Sequence, residues 1–293
     1  MTNNIVLSSD RELPLLLFLW KWKVSTVAAL VRKFYPTCSQ KTAYNRLLSL
    51  RHARMIQMRA DGFGQKFVVA LDQKGLEEIQ NFLPAIEDRG YKSEQVGHDL
   101  VLSAFHLGDW LLETPKHATL FSEQQLRRMS PELYPDWIPK TGVHRPDGYT
   151  QTLYRGQTAT FAIEVELSQK RNRDYANAAE FYLYCRGIAR VLWLVPRLSM
   201  AKTLHEHLIQ KGKAERDMHD FFLLEDFMQR GWDSEAVAGP DLGKSVASLM
   251  SGKTQENTGK SPGSIMAHSL LDTRKSPHTS RFYRNFQLGD FRD

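Results

Sequence analysis

The sequence predicts a mixed α/β protein built from two units and a tail. Its 293 residues are more than one domain usually holds, so about two domains are expected. The first ninety residues show the pattern of several helices and a hairpin, and residues 96–230 alternate between helical and extended patterns. The longest apolar run, at 15–20, has six residues and excludes a spanning helix of about twenty. No membrane partner is therefore expected, and the two distant cysteines, Cys38 and Cys185, favour a reducing cytoplasm.

The first unit, residues 1–90, is expected to begin with three helices. Pro14 suits the first position of a buried helix that includes residues 15–19. Ser25 is predicted to cap a second helix and Ser39 a third, because serine hydroxyls accept hydrogen bonds from the first helical amides. Helical spacing turns three apolar residues of the third helix inward: Ala43, Leu47 and Leu50.

A hairpin and a last helix are expected to follow. Residues 55–59 and 65–71 are extended on either side of a glycine-rich turn at 61–64, and the helix follows Lys74. Two short helices around a tight turn, with a two-stranded wing behind them, resemble a winged helix-turn-helix, whose third helix enters the major groove of DNA. This resemblance implies a set of contacts: Gln40, Lys41, Tyr44 and Asn45 toward the bases, Arg46 and Arg51 toward phosphates, and Lys66 on the wing.

The net charge of +6 is concentrated in this unit. Between positions 21 and 66 the chain has ten lysines or arginines and one acid, Asp61. Such a local excess favours a polyanionic partner, here double-stranded DNA. Two alternatives remain open, namely a solvated basic face and a winged helix that contacts proteins.

The second unit, residues 91–235, is expected to follow a polar boundary at 87–94. Its pattern predicts a helix over 96–113, strands over 149–154 and 158–167, a helix over 174–189, a strand over 191–195 and largely helical chain over 204–230. Residues 236–293 form a linker and a basic tail, with a polar stretch at 251–262. In the tail, aromatic residues and arginines alternate: Arg281, Phe282, Tyr283, Arg284, Phe286, Phe291 and Arg292. Such a segment either docks on the body or binds nucleic acid or a partner by stacking and charge.

Three carboxylates are expected to meet on one face of the hairpin at 149–167. Glu164 and Glu166 alternate with apolar residues, so both acids lie on the face opposite the apolar one. A two-residue loop at 156–157 pairs Arg155 with Thr158, which places Asp147 opposite Glu166. Neighbouring carboxylates repel each other, so this arrangement favours a cation or a basic side chain among them. The alternative is that Asp147 is a turn residue and that the two glutamates form a solvated sheet face.

The order of these residues resembles the core of the PD-(D/E)XK nuclease-like superfamily. Pro146-Asp147 precedes one hairpin strand, Glu164-x-Glu166 lies on the next, and a helix and an apolar strand follow. The resemblance implies a metal site for Mg²⁺ or Mn²⁺ held by Asp147, Glu164 and Glu166, since these ions prefer oxygen ligands. Glu166 stands where the superfamily has lysine, and Lys170 is expected to supply the missing ammonium. His98 and Asp99, at the start of the preceding helix, are expected in secondary roles, although such a pair is also typical of structural hydrogen bonding.

The two units together resemble the replication-relaxation family and the MobC-type relaxases that nick a plasmid transfer origin. The resemblance covers roughly residues 10–200. It implies a DNA-binding protein of a bacterial mobile element that cleaves DNA with a divalent metal ion in plasmid mobilisation or replication. It also implies mobilisation or replication proteins as partners of the tail. The alternative is a non-cleaving regulator or accessory mobilisation factor with a degenerate nuclease fold. If the acids form a metal site, all three carboxyl groups are expected to have raised pKa values in the metal-free protein.

Overall fold

A computed structural model describes residues 6–59, 67–111, 113–140, 144–212 and 217–250 of the chain. The described residues form a mixed α/β fold, as the sequence predicts, and they contain one three-stranded and one five-stranded sheet. None of their helices is both long and apolar enough to cross a membrane. The basic-aromatic tail and the wing turn at 61–64 lie outside the described residues.

The described residues of the first unit form four α-helices and a small antiparallel sheet with the strand order β1-β3-β2. Its elements are α1 (Glu12–Trp22), β1 (Val24–Thr26), α2 (Val27–Phe34), α3 (Gln40–His52), β2 (Ile56–Arg59), β3 (Val68–Leu71) and α4 (Gln73–Ile79). The predicted inward residues of α3, namely Ala43, Leu47 and Leu50, are fully buried in the core of this unit. Their helical spacing therefore fixes which side of α3 remains accessible.

Helix starts in the first unit follow side-chain capping. Ser39 accepts a hydrogen bond from Thr42 N and caps α3, as predicted. The predicted cap of α2 is wrong by one residue, because Thr26 accepts from Ala29 N while Ser25 pairs with Val69 in the sheet. Helix α1 begins at Glu12, two residues before Pro14.

The second unit is a five-stranded sheet with helices on both faces. Its elements are α5 (Val96–Leu107), β4 (Thr119–Ser122), α6 (Glu123–Arg128), β5 (Gly148–Tyr154), β6 (Gln157–Val165), α7 (Asn172–Tyr184), β7 (Ile188–Val195), α8 (Leu198–Gly212), β8 (His219–Leu223), α9 (Leu224–Arg230) and α10 (Val246–Met250). The strand order is β4-β5-β6-β7-β8, antiparallel up to β6 and parallel from β6 to β8. Phe161, Ile163 and Val165 pack into one core, and the opposite face of the sheet carries a second core with residues of α7 and α8.

The hairpin of β5 and β6 has a different register from the predicted one. Tyr154 pairs with Gln157 and Gly148 with Ile163, so the two-residue loop is Arg155-Gly156. Both loop residues have positive φ, 52° and 79°, as a type I′ turn requires. The register differs from the prediction by two positions, and because side chains alternate with period two, each stays on its predicted face.

Three further predictions need correction. The helix that starts at Val96 ends at Leu107, where Gly108 adopts a φ of 46°. The helical chain over 204–230 is interrupted, because 219–223 forms β8 beside β7 between α8 and α9. The folded body also continues past 235, since α10 is buried in the same core as β6 and Thr152 Oγ1 donates to Met250 O at 2.9 Å.

The two units are joined by buried contacts. Trp22 packs in the core of the second unit, with its ring edge-on to His106 at 5.1 Å between centroids. Lys21 Nζ donates to Leu120 O at 2.8 Å, and Lys33 Nζ donates to Leu111 O. Burial lowers the pKa of Lys21 to about 8. These lysines, counted toward a DNA-facing charge excess, therefore hold the second unit instead.

Candidate active site and nucleic-acid interface

Asp147 lies directly before β5 and is fixed by two groups. Its Oδ2 accepts a hydrogen bond from Val165 N at 2.8 Å. The same oxygen lies 3.4 Å from His98 Nε2, which is also 3.0 Å from Val165 O. His98, in the first turn of α5, therefore lies between the Asp147 carboxylate and the end of β6.

Glu164 is buried on the α7 side of the sheet. Its Oε1 accepts from Tyr182 OH at 2.5 Å and lies 2.6 Å from His144 Nε2. Only 3% of Glu164 is exposed, so a charged carboxylate there depends on these two partners. Tyr182 is itself buried, and its hydroxyl positions Glu164 rather than facing a substrate.

Glu166 follows the last residue of β6 and continues along β7, since its N–H donates to Leu194 O at 2.9 Å. Its Oε2 lies 2.9 Å from Lys170 Nζ, four residues on. The Lys170 side chain is 51% exposed, so its ammonium reaches both the glutamate and solvent. Lys170 and Glu166 therefore form an ion pair that solvent reaches.

The basic partners lower the pKa values of Asp147 and Glu166, but the net shifts of the two carboxyl groups have opposite directions. Burial lowers the pKa of His98, but Asp147 and Asp99 outweigh burial and raise it to about 10. Burial raises the pKa of Asp147, but His98 reverses this, and the pKa is lowered overall. For Glu166, burial is the largest effect, and with Glu164 and Asp147 it raises the pKa despite Lys170. The expectation of three raised pKa values is therefore wrong for Asp147, because a protonated histidine compensates it.

The three carboxylates line one cleft. A cleft of about 600 Å³ is lined by Asp147, Glu164 and Glu166 together with His144 and Lys170. A second cleft, of about 350 Å³, shares five of its residues: Glu123, Arg127, Asp147, Glu166 and Lys170. The second cleft also contains His98, Asp99 and Lys23, so all six predicted site residues lie along this continuous depression.

The donor set agrees in chemistry with a hard divalent ion, because the predicted ligands offer carboxylate oxygens. The raised pKa of Glu166 shows that its negative charge is not fully compensated by Lys170. As the side chains stand, however, no three Asp, Glu, His or Cys residues of the described chain are grouped closely enough to hold a metal ion. Each acid contacts a basic side chain instead. Of the two arrangements that the sequence favours, a cation or a basic side chain among the acids, the described residues show the second.

Sequence reasoning missed four residues of this site: Lys23, Glu123, His144 and Tyr182. His144 stands three positions before Asp147, and this proximity in the sequence could have identified it as a site residue. Lys23 and Glu123 are 100 positions apart and meet only through the contact between units. No local pattern reveals such a pair.

The predicted DNA-facing side of α3 is accessible. Gln40, Lys41, Asn45 and Arg51 are exposed, and Tyr44 is half-buried. Lys66 lies outside the described residues.

Arg46 departs from its predicted role in phosphate binding. Its Nε donates to Glu12 Oε1 at 2.8 Å, and its Nη2 donates to Val6 O at 2.9 Å. Because Glu12 is 97% buried by accessible area and also accepts from Tyr35 OH, this pair belongs to the core of the first unit. Arg46 is therefore assigned to folding.

No family model, curated protein or solved structure matches this chain.

Proposed function

We propose that this chain is a DNA-binding protein with a carboxylate-lined cleft that cleaves phosphodiester bonds with the help of a divalent metal ion. The single observation that carries this proposal is the convergence of Asp147, Glu164 and Glu166 on one cleft, with Lys170 beside them. A buried acidic floor is costly to assemble, and such clusters are typical of functional sites.

The sheet topology supports the nuclease-like interpretation. A Pro-Asp pair precedes β5, two acids lie at the end of the adjacent β6, and α7 leads from there to the parallel strand β7. This is the order that the PD-(D/E)XK resemblance implies. The three helices and three-stranded sheet of residues 12–71 likewise support a winged helix-turn-helix with α3 as its DNA-reading helix.

Each of the cleft residues has a separate role in the proposed reaction. Asp147, Glu164 and Glu166 would hold the metal ion, which polarises a bound phosphate and lowers the pKa of an attacking water. His98 fixes Asp147, and Tyr182 with His144 fixes Glu164. Lys170 compensates Glu166 and is exposed enough to stabilise charge that develops on the phosphate.

Cations at the mouth of the cleft suit a polyanionic substrate. Arg127 and Arg145 line the cleft, and Lys92 lines the adjoining one. Arg145 and Lys92 are exposed, and 43% of the Arg127 side chain is exposed. An acidic floor below basic residues would attract a nucleic-acid backbone while leaving room for a cation at the scissile phosphate.

A cellular role follows from the resemblance to the replication-relaxation family and MobC-type relaxases. We propose that the substrate is double-stranded DNA at a plasmid transfer or replication origin, and that the tail at 281–292 contacts other mobilisation or replication proteins. The contacts that would test the tail lie outside the described residues.

A non-cleaving DNA-binding regulator or accessory mobilisation factor is the second candidate. The observation that favours it is the pairing of each acid with a basic side chain: Asp147 with His98, Glu164 with His144, and Glu166 with Lys170. In this alternative the basic side chains take the place of the metal ion, and the cleft is a relic of a nuclease fold.

A nicking assay separates the two candidates. The full chain would be incubated with Mg²⁺ or Mn²⁺ and supercoiled plasmids that carry the DNA flanking its own gene. We expect conversion to open circles, loss of this activity in Glu164→Gln, and retention in Glu180→Gln, an exposed glutamate of α7. Absence of nicking, or equal nicking by Glu164→Gln, would favour the regulator.

A further inference from the structure

Lys23 is a residue of the first unit that lies within the cleft of the second. It follows α1 directly, with a φ of 62°, and only 8% of it is exposed. Its Nζ lies 2.9 Å from Asp99 Oδ1 and 2.6 Å from Glu123 Oε2. A buried ammonium between two buried carboxylates is strongly held, because each group would be costly to leave unpaired.

These contacts are part of a chain of alternating charges. At one end, Arg127 Nη2 lies 2.6 Å from Glu123 Oε1. Beyond Lys23, Asp99 Oδ1 lies 3.7 Å from His98 Nδ1, and His98 Nε2 contacts Asp147. The order is Arg127, Glu123, Lys23, Asp99, His98 and Asp147, so Lys23 connects the exposed rim of the cleft to Asp147.

We propose that Lys23 is a positioning residue of the cleft, through which the first unit holds Asp99 and His98 and thereby fixes Asp147. This inference depends on the proposed function, because it assigns Asp147 a role in the cleft. The cleft is then incomplete without the winged-helix unit, and displacement of that unit would alter Asp147 directly.

The contacts of Asp99 explain how loss of the Lys23 charge would change the position of His98. Asp99 Oδ2 is buried and has no hydrogen-bond partner among the described residues, so its charge depends on the groups around Oδ1. Without Lys23, His98 would become the nearest cation for Asp99. Its ring would be drawn toward Asp99, and Nε2 would leave both Val165 O and Asp147.

Lys21 offers a matched control. It also belongs to the end of α1 and also binds the second unit, but its partner is the backbone oxygen of Leu120. Lys21→Met therefore removes a lysine contact between the units without breaking the charge chain. Lys23→Arg tests rescue, since arginine keeps the positive charge between the two acids.

Two measurements on the full chain test the proposal. The first is the NMR signal of the His98 Nε2 proton, which the contact with Val165 O should protect from exchange with water. The second is nicking at saturating DNA. In Lys23→Met we expect loss of the protected signal and a kcat that falls roughly ten- to hundred-fold with KM for DNA unchanged. Lys21→Met should keep both properties, and Lys23→Arg should recover most of each.

The results for the variants decide whether Lys23 positions His98. Retention of the His98 signal in folded Lys23→Met, or equal losses in Lys21→Met, would overturn the positioning role. If Lys23→Met does not fold, Lys23→Gln, which removes the positive charge but keeps hydrogen-bond donors between the two acids, tests the same point and should also release His98. An unchanged His98 signal in folded Lys23→Gln would overturn the role. If the wild type does not nick DNA but the His98 signal is lost in Lys23→Met and kept in Lys21→Met, the proposed cleavage fails and the positioning role is supported.

Discussion

Removal of the Arg46 side chain should destabilise the protein through Glu12 rather than through DNA contacts. Glu12 is 3% exposed and accepts three hydrogen bonds, from Arg46 Nε at 2.8 Å, Tyr35 OH at 3.1 Å and Ser8 N at 3.0 Å. Loss of one partner from a buried ion pair typically costs about 3–5 kcal/mol. Because the Arg46 side chain is 35% exposed and two donors to Glu12 remain, we expect Arg46→Ala to cost about 2 kcal/mol.

Urea unfolding followed by tryptophan fluorescence measures this loss. Lys41→Ala is the matched control on the same helix, because Lys41 is exposed, and its free energy of unfolding should change by less than about 0.5 kcal/mol. Addition of Glu12→Gln to Arg46→Ala should recover part of the loss, since a neutral side chain is less costly to bury. Equal stability of Arg46→Ala and Lys41→Ala would refute the assignment of Arg46 to the core.

Two further predictions concern DNA binding and pH. Lys41→Ala should weaken DNA binding and reduce the slope of log affinity against log salt by about one, as measured by fluorescence anisotropy; an unchanged slope would contradict a phosphate contact. Burial raises the pKa of Asp220 to about 7, so between about pH 4 and about pH 7 the folded state keeps a proton that the unfolded state has lost. Stability therefore falls as the pH rises from about 4 to about 7, and above that range Asp220 adds no further pH dependence. Asp220→Asn should remove this dependence and melt at a higher temperature than the wild type at pH 8, and equal melting temperatures at pH 8 would contradict the shift.

Local sequence patterns predicted the parts of the fold that depend on residues close to one another along the chain. Helical spacing identified Ala43, Leu47 and Leu50, because a buried stripe on one helix needs no knowledge of its partner. Strand β8 was predicted as part of a helical stretch, because the short apolar run at 221–223 suits either structure until pairing with β7 decides. Thr26 rather than Ser25 caps α2 because β1 extends through Thr26, so the helix begins one residue later than predicted.

The sequence predicted the part of the candidate site that follows from the alternation of side chains along β6. Alternation in β6 placed Glu164 and Glu166 on the same face even though the register was wrong by two positions. The partners of these acids come from other elements, such as Tyr182 from α7. Lys23 is 76 positions from Asp99, and its charge contributes to the basic excess that favours a polyanionic partner, because charge alone does not distinguish a buried lysine from an exposed one.

Binding of a divalent ion by Asp147, Glu164 and Glu166 is tested most directly by titration of the full chain with Mn²⁺, with the bound ion detected by electron paramagnetic resonance. This measurement needs no knowledge of the DNA site. We expect the wild type to bind Mn²⁺ that Mg²⁺ displaces, Glu164→Gln to lose most of this binding, and Glu180→Gln to retain it. Absence of bound Mn²⁺ in the wild type, or equal binding by Glu164→Gln, would contradict a metal-dependent cleft.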